Sequence, residues 1–157
     1  MWMLFHCTGM DLPTGRKENR QWVKSKSTGP AGKPCLFGRY ALERLGNESI
    51  ERIIKVEGGK DLLAGWSITP EDSRDQTLFV SNAYGAVETP GWMASAIGKC
   101  KAKQAFVLHD TDEAGETGAK KWARAIGMAR DDKQCGIIHL PFEKTDKGGK
   151  DLRDWAQ

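Results

Sequence analysis

The segment Phe106-Val107-Leu108-His109-Asp110-Thr111-Asp112-Glu113-Ala114-Gly115 sets the class of this chain. It continues a short apolar run from Ala105 to Leu108, the pattern of a buried strand. The run ends in two aspartates one residue apart. Side chains alternate along a strand, so Asp110 and Asp112 face the same side if extended geometry persists that far. Gly115 then opens a helical pattern. Ala119, Trp122 and Ile126 share its inner face, and Glu116 and Lys120 form an i,i+4 pair outside. Two carboxylates at a strand's carboxyl end pack poorly and suit a hard divalent cation.

The same architecture occurs upstream. Ile53-Ile54-Lys55-Val56 is a short apolar strand that ends in Glu57-Gly58-Gly59-Lys60-Asp61. Ligands of open α/β sheets bind at the carboxyl ends of strands. Glu57, Asp110 and Asp112 are therefore expected to meet there, although far apart in sequence.

Outward from these two segments, strands are expected at Arg52 to Val56, Thr77 to Ser81, Gln104 to Leu108 and Gly136 to Leu140. Helices are expected at Lys60 to Trp66, from Pro90 to Ile97 and from Gly115 to Ile126, with a last one opening at Lys150. Asn82-Ala83-Tyr84-Gly85 is a loop, and Phe142 to Gly149 is a polar one. This alternation predicts an α/β fold: a mainly parallel four-stranded sheet with helices on both faces. Leu36 to Leu45 reads as a further helix, stopped by Gly46. Met1 to Thr8 and Arg20 to Ser25 read as strands of a small N-terminal β-hairpin, and Ser25 to Pro34 as a Gly/Pro-rich connector. The division expected is a basic hairpin and linker segment at 1–35 and a catalytic domain at 36–157. The chain starts without cap or leader, as a fragment or clipped gene product would.

The hydrophobic and charged shares, 39% and 29%, belong to a soluble globular protein. No apolar run approaches the ~20 residues of a membrane span, and Met1 to Cys7 lacks the basic start of a signal peptide. A cytoplasmic protein is expected. Cys7, Cys35, Cys100 and Cys135 are scattered without a C-x-x-C pair, so no zinc site is expected and the thiols are expected to be reduced and partly buried. The net charge of +3 hides an asymmetry, because residues 1–40 hold seven cations against two acids. Arg16, Lys17, Arg20, Lys24 and Lys26 form a basic segment suited to phosphates, beside a carboxylate-rich body suited to metal. The plain alternative for each is a solvated surface. His109 is expected to turn to the other face of its strand and pack. Trp2, Trp22, Trp66, Trp92, Trp122 and Trp155 are expected to be mostly core, with Trp22 able to stack on a base.

Read together, V-E-G-G-K-D, L-H-D-T-D-E-A-G and a terminal G-G-K-D-L-R-D-W, in that order with βα units between them, resemble the Toprim family. Within it, the resemblance is to DnaG-type primases and phage or plasmid primase-helicases, and it covers residues 36–157. It implies that Glu57 is a general acid or base and metal contact, and that Asp110 and Asp112 are paired metal ligands. Asp61 and Asp151 would complete the acidic rim. Lys60, Asn82 and Gly85 would border the nucleotide. Asp154 departs from the bacterial primase pattern, which places its next aspartate where Arg153 stands. The implied activity is magnesium- or manganese-dependent synthesis of RNA primers on single-stranded DNA from nucleoside triphosphates, in replication of a chromosome or mobile element, beside a fused or separate helicase. Carboxylate-held metal suits that chemistry, since it neutralises triphosphate charge and aligns the attacking oxygen. Crowded without metal, the acids should show raised pKa values. Zinc-binding and helicase parts of such proteins are missing, so the expectation is the catalytic metal-binding core of such a protein or a reduced stand-alone version, and activity of this length of chain alone is left open. Phosphodiester cleavage is the enzymatic alternative, and a non-catalytic DNA-binding module is the alternative of another class. Tyr40 and Tyr84 lack a nucleophile context, which disfavours a topoisomerase.

Overall fold

The computed structural model describes residues 3–6, 25–28, 36–37, 50–82 and 91–157, the first three stretches as backbone only. The chain divides into two compact units, Met1–Lys33 and Pro34–Gln157. The first contains two strands, β1 (Met3–His6) and β2 (Ser25–Thr28), paired antiparallel with Met3 opposite Thr28. The second strand therefore occupies the start of the segment read as a connector. Its Ser-Lys-Ser-Thr sequence contains neither Gly nor Pro, so the Gly/Pro-rich part of that segment begins only after the strand.

The second unit is built on a five-stranded sheet in the order β3-β5-β4-β6-β7. Its strands are β3 (Leu36–Phe37), β4 (Arg52–Val56), β5 (Thr77–Asn82), β6 (Gln104–Leu108) and β7 (Gly136–Ile138). The four strands from β4 to β7 run parallel, as the βα alternation requires. β3 is an antiparallel edge, with Leu36 opposite Asn82. A helix was expected from Leu36. The apolar pair Leu36-Phe37 instead extends the ladder of β5, and short apolar runs do not separate helix from strand by period alone. The remainder of that expected helix lies outside the described residues.

Helices cover both faces. α3 (Gly91–Gly98) and α4 (Glu113–Ala129) bury Met93, Ile97, Trp122 and Ile126 against Ile53, Val80 and Val107. α1 (Gly59–Ile68) and α5 (Leu152–Trp155) lie over the other face, where Leu62 and Leu152 join Ile54, Val56, Phe79 and Leu108. The near-continuous burial of β4 and β5 is that of strands covered on both sides. A short helix, α2 (Glu71–Arg74), was not expected; Pro70 precedes it as a cap. α4 starts two residues before the expected Gly115, because Asp112 caps it, and runs on to Ala129. Gly65 lets α1 approach the sheet: a Cβ there would come within 2.3 Å of the Phe79 ring.

Trp122 is fully buried, but Trp66, Trp92 and Trp155 are exposed, against the expectation of core positions. Trp66 lies on the outer side of α1, where the Arg74 guanidinium covers its ring at 4.8 Å. Trp2 and Trp22 lie outside the described residues. Cys100 is buried and Cys135 half-buried, both as free thiols. Among the described residues no helix is long and apolar enough to cross a membrane.

Candidate functional site

The parallel register places the ends of three strands level. Val56 is opposite Ser81 on one side and Leu108 on the other. The next residue along each strand is therefore Glu57, Asn82 and His109, and Asp110 follows. Adjacent strands stand about 4.8 Å apart, so the acids meet at this edge because the ladder is in register.

Glu57 is half-buried. The backbone N–H of Asp110 lies on one side of its carboxylate and favours the charged form. Its Oε2 is buried with no hydrogen-bond partner. Burial raises its pKa, opposed by the Asp110 N–H and Lys55 and reinforced by Asp112 and Asp61. Asp110 is pushed up to about 7, first by burial and then by Glu57, Asp61 and Asp112, with Arg153 opposing. The crowding of like charges at one edge is thus a property of the fold.

Asp112 has a second occupation. Strand geometry ends at Leu108, and Asp112 is the N-cap of α4. One carboxylate oxygen accepts from Gly115 N at 2.8 Å and the other from Gly149 N at 3.3 Å. Gly115 packs so closely that a Cβ would lie 2.2 Å from the Asp110 carbonyl oxygen.

The terminal G-G-K-D reaches this loop by backbone lacing. Thr111 N donates to the Lys150 carbonyl at 2.9 Å, and Lys150 N donates to Thr111 Oγ1 at 2.9 Å. Thr145 N donates to the Thr111 carbonyl at 3.0 Å, and Asp112 and Thr145 form a parallel bridge. A Cβ on Gly149 would lie 2.5 Å from Asp112 N, so only glycine admits the two segments side by side. Lys144 from the same loop pairs with Glu116, which also binds Lys120.

Asp61 and Asp151 are held by Arg153, a residue to which the motif reading assigned no role. Asp61, in the first turn of α1, accepts from Gly58 N at 3.1 Å, and its Oδ1 lies 3.4 Å from Arg153 Nε. Burial raises its pKa; Arg153 and the Gly58 N–H oppose. Asp151 is buried and caps α5, accepting from Arg153 N at 2.8 Å and Asp154 N at 3.1 Å, while its other oxygen pairs with the Arg153 guanidinium. Asp154 returns the capping box by accepting from Asp151 N at 3.0 Å. Arg153 is thus one cation shared by two carboxylates, Asp61 and Asp151.

Lys60 is half-buried in the first turn of α1, beside Asp61, and Asn82 is buried at the end of β5. Gly85, Arg16, Lys17, Arg20 and Lys24 lie outside the described residues, and Lys26 belongs to β2, whose side chains are not described. His109 is buried, as expected, but with a partner the motifs did not signal: Lys55 Nζ lies 2.7 Å from its Nε2. Burial and then Lys55 push the imidazole down to about 3, with the Gly115 backbone opposing, so the ring is neutral at pH 7. The lone lysine in Ile-Ile-Lys-Val, on the alternation of buried Ile53, is the signal that could have found it.

Beside the acids is a cleft of about 280 Å³, running from Asp110 and Asp112 along Ala119 to Ile137, Leu140 and Phe142. Among the described residues no three His, Cys, Asp or Glu side chains, as placed, are grouped to hold a metal ion. Magnesium needs only one or two protein carboxylates and keeps several waters. Glu57, with its unpartnered Oε2, and Asp110 offer that number.

No protein-family model matches the chain, and no curated protein matches it. Among solved structures it is similar to a primase domain of gp4 in the complex of bacteriophage T7 lagging-strand DNA polymerase with primase domains of two gp4 subunits bound to an RNA/DNA hybrid and dTTP. The identity is 22% and the TM-score 0.51; the match covers 78% of this chain and 56% of the neighbour. The chain thus spans little more than half of that neighbour, with which it shares its fold.

Proposed function

We propose that residues 36–157 form a Toprim-type catalytic core of a primase, a nucleotidyltransferase that joins ribonucleotides on single-stranded DNA. One observation carries this reading. Glu57 and Asp110 lie at the ends of adjacent parallel strands, both with raised pKa values, and Glu57 Oε2 is buried without a partner. Such an arrangement is costly for the empty protein and favourable for a divalent cation. The order of the three acidic motifs and a fold shared with a primase domain support the same assignment.

In this reading Glu57 and Asp110 hold magnesium or manganese directly, and Asp112 adds a free lone pair while its cap fixes the loop. The metal, when bound, supplies charge neutralisation of the triphosphate and alignment of the attacking oxygen. In this reading the Glu57 carboxylate also exchanges the proton of the attacking hydroxyl, and its raised pKa suits that exchange. Asp61 and Asp151, paired with Arg153, shape the rim. In the same reading Lys60 contacts a phosphate, and the basic residues before position 40 follow the DNA backbone. Nucleoside triphosphates, single-stranded template and a helicase are the partners of this reading, and the cytoplasm its compartment.

The test is manganese calorimetry on the wild type and on Asp110→Asn/Asp112→Asn, followed by primer synthesis on single-stranded DNA. Binding that the double variant loses, with primers made only by the wild type, supports the assignment. Wild-type protein that binds no manganese at millimolar concentration, with or without nucleotide, overturns it.

A further inference from the structure

Beneath the acid rim lies a polar cluster that the proposed chemistry does not use. Lys55 is fully buried. Its Nζ lies 2.7 Å from His109 Nε2 and 4.4 Å from the centre of the Trp122 ring. A buried lysine costs free energy that an aliphatic residue at the same place would not. Its neighbours Ile53, Val80 and Val107 show that the site could be wholly apolar.

The three members come from three different acid-bearing elements. Lys55 belongs to β4 and precedes Glu57 by two residues. His109 follows β6 and immediately precedes Asp110. Trp122 belongs to α4, whose N-cap is Asp112. The sheet ladder between β4 and β6 ends at the pair Val56 and Leu108. Past that pair, the spacing of Glu57 and Asp110 depends on contacts outside the ladder. An ammonium has donors only, so His109 Nε2 accepts and the ring proton resides on Nδ1. The cation over the indole face adds a second directional contact.

We propose that Lys55, His109 and Trp122 form a buried strap that sets the spacing of Glu57 and Asp110. The inference rests on the reading of that pair as the metal-holding acids. None of the three touches substrate; they are positioning residues. Outer contacts of this kind orient metal ligands, and their loss typically weakens metal binding about 10–100-fold.

The experiment uses the full chain and three variants: His109→Leu, His109→Gln and Lys55→Met/His109→Leu. Hydrogen exchange at the Asp110 amide, which favours the charged Glu57 carboxylate, is read in metal-free protein. Manganese affinity is read by calorimetry and stability by urea unfolding. His109→Leu is expected to speed exchange at Asp110 and to weaken manganese binding at least about tenfold. His109→Gln keeps an acceptor for Lys55 and should hold both near wild type. The double variant removes both polar groups, so it should recover stability while exchange remains fast and binding weak. It also carries the test if His109→Leu fails to fold. Unchanged Asp110 exchange and manganese affinity in His109→Leu, or their return in the double variant, overturn the strap. If the wild type binds no manganese yet Asp110 exchange responds as expected, the strap stands and the metal assignment falls.

Discussion

Replacing Asp110 by Asn should stabilise the metal-free protein at pH 8. The carboxyl is pushed up from 3.8 to about 7 by burial and by Glu57, Asp61 and Asp112. Between those two values the folded state keeps a proton that the unfolded chain has released, so stability falls as pH rises through the window. Above pH 7 the penalty is complete. At 1.36 kcal/mol per pKa unit it has a ceiling of about 4 kcal/mol. Asp110 is partly open to water, and screening there reduces the effect to about 1–2 kcal/mol. For a chain of this length that is a gain of roughly 3–6 °C in Tm. The assay is thermal unfolding in chelator at pH 5 and pH 8. At pH 5, inside the window, only about a third of the penalty is present and the variant should melt slightly higher; at pH 8 the gap should be full. Added manganese should raise the wild type alone. A variant less stable than wild type at pH 8, or equally stabilised at both pH values, would show that the acids do not strain one another.

Three further outcomes are expected. Lys55, pushed down to about 7 from 10.5 chiefly by burial, imposes its penalty below pH 7 and loses it as pH rises to 10.5; in urea unfolding, the wild type should gain stability over that range and Lys55→Met should not. Gly149→Ala should cost about 1–3 kcal/mol, since its Cβ meets the backbone of Thr111 and Asp112, and a Tm equal to wild type would contradict the close packing. Arg153→Met leaves Asp61 and Asp151 without their cation, so it should destabilise the metal-free protein by about 1–3 kcal/mol at pH 8 and less at pH 5. Calorimetry on the same variant should show more manganese bound than by wild type.

The α/β class, the four parallel strands and the order of the acids were legible in the linear chain. Alternation of apolar runs with helical periods is a local property, and Asp110, Asp112 and Glu57 each end such a run. Edges were less legible. Leu36-Phe37 joins the sheet only because β5 offers an open side, and Trp66, Trp92 and Trp155 are exposed although their residue type favours the core.

Within the site, residue type and spacing named the acids, whereas their roles depended on partners brought from elsewhere. Asp112 and Asp151 are helix caps as well as acids, because Gly149 N and the first turns of α4 and α5 fill their oxygens. Arg153 carries no local mark, yet it is the cation shared by Asp61 and Asp151. Lys55 is an ordinary lysine in the linear chain and becomes a buried contact between strand and helix only when β4, β6 and α4 close around it. Sequence fixes which groups are present and which face of an element each occupies. Their charge state and what they hold follow from burial and from neighbours distant in the chain, as in the pairing of Asp61 with Arg153, and these exist only in the folded chain.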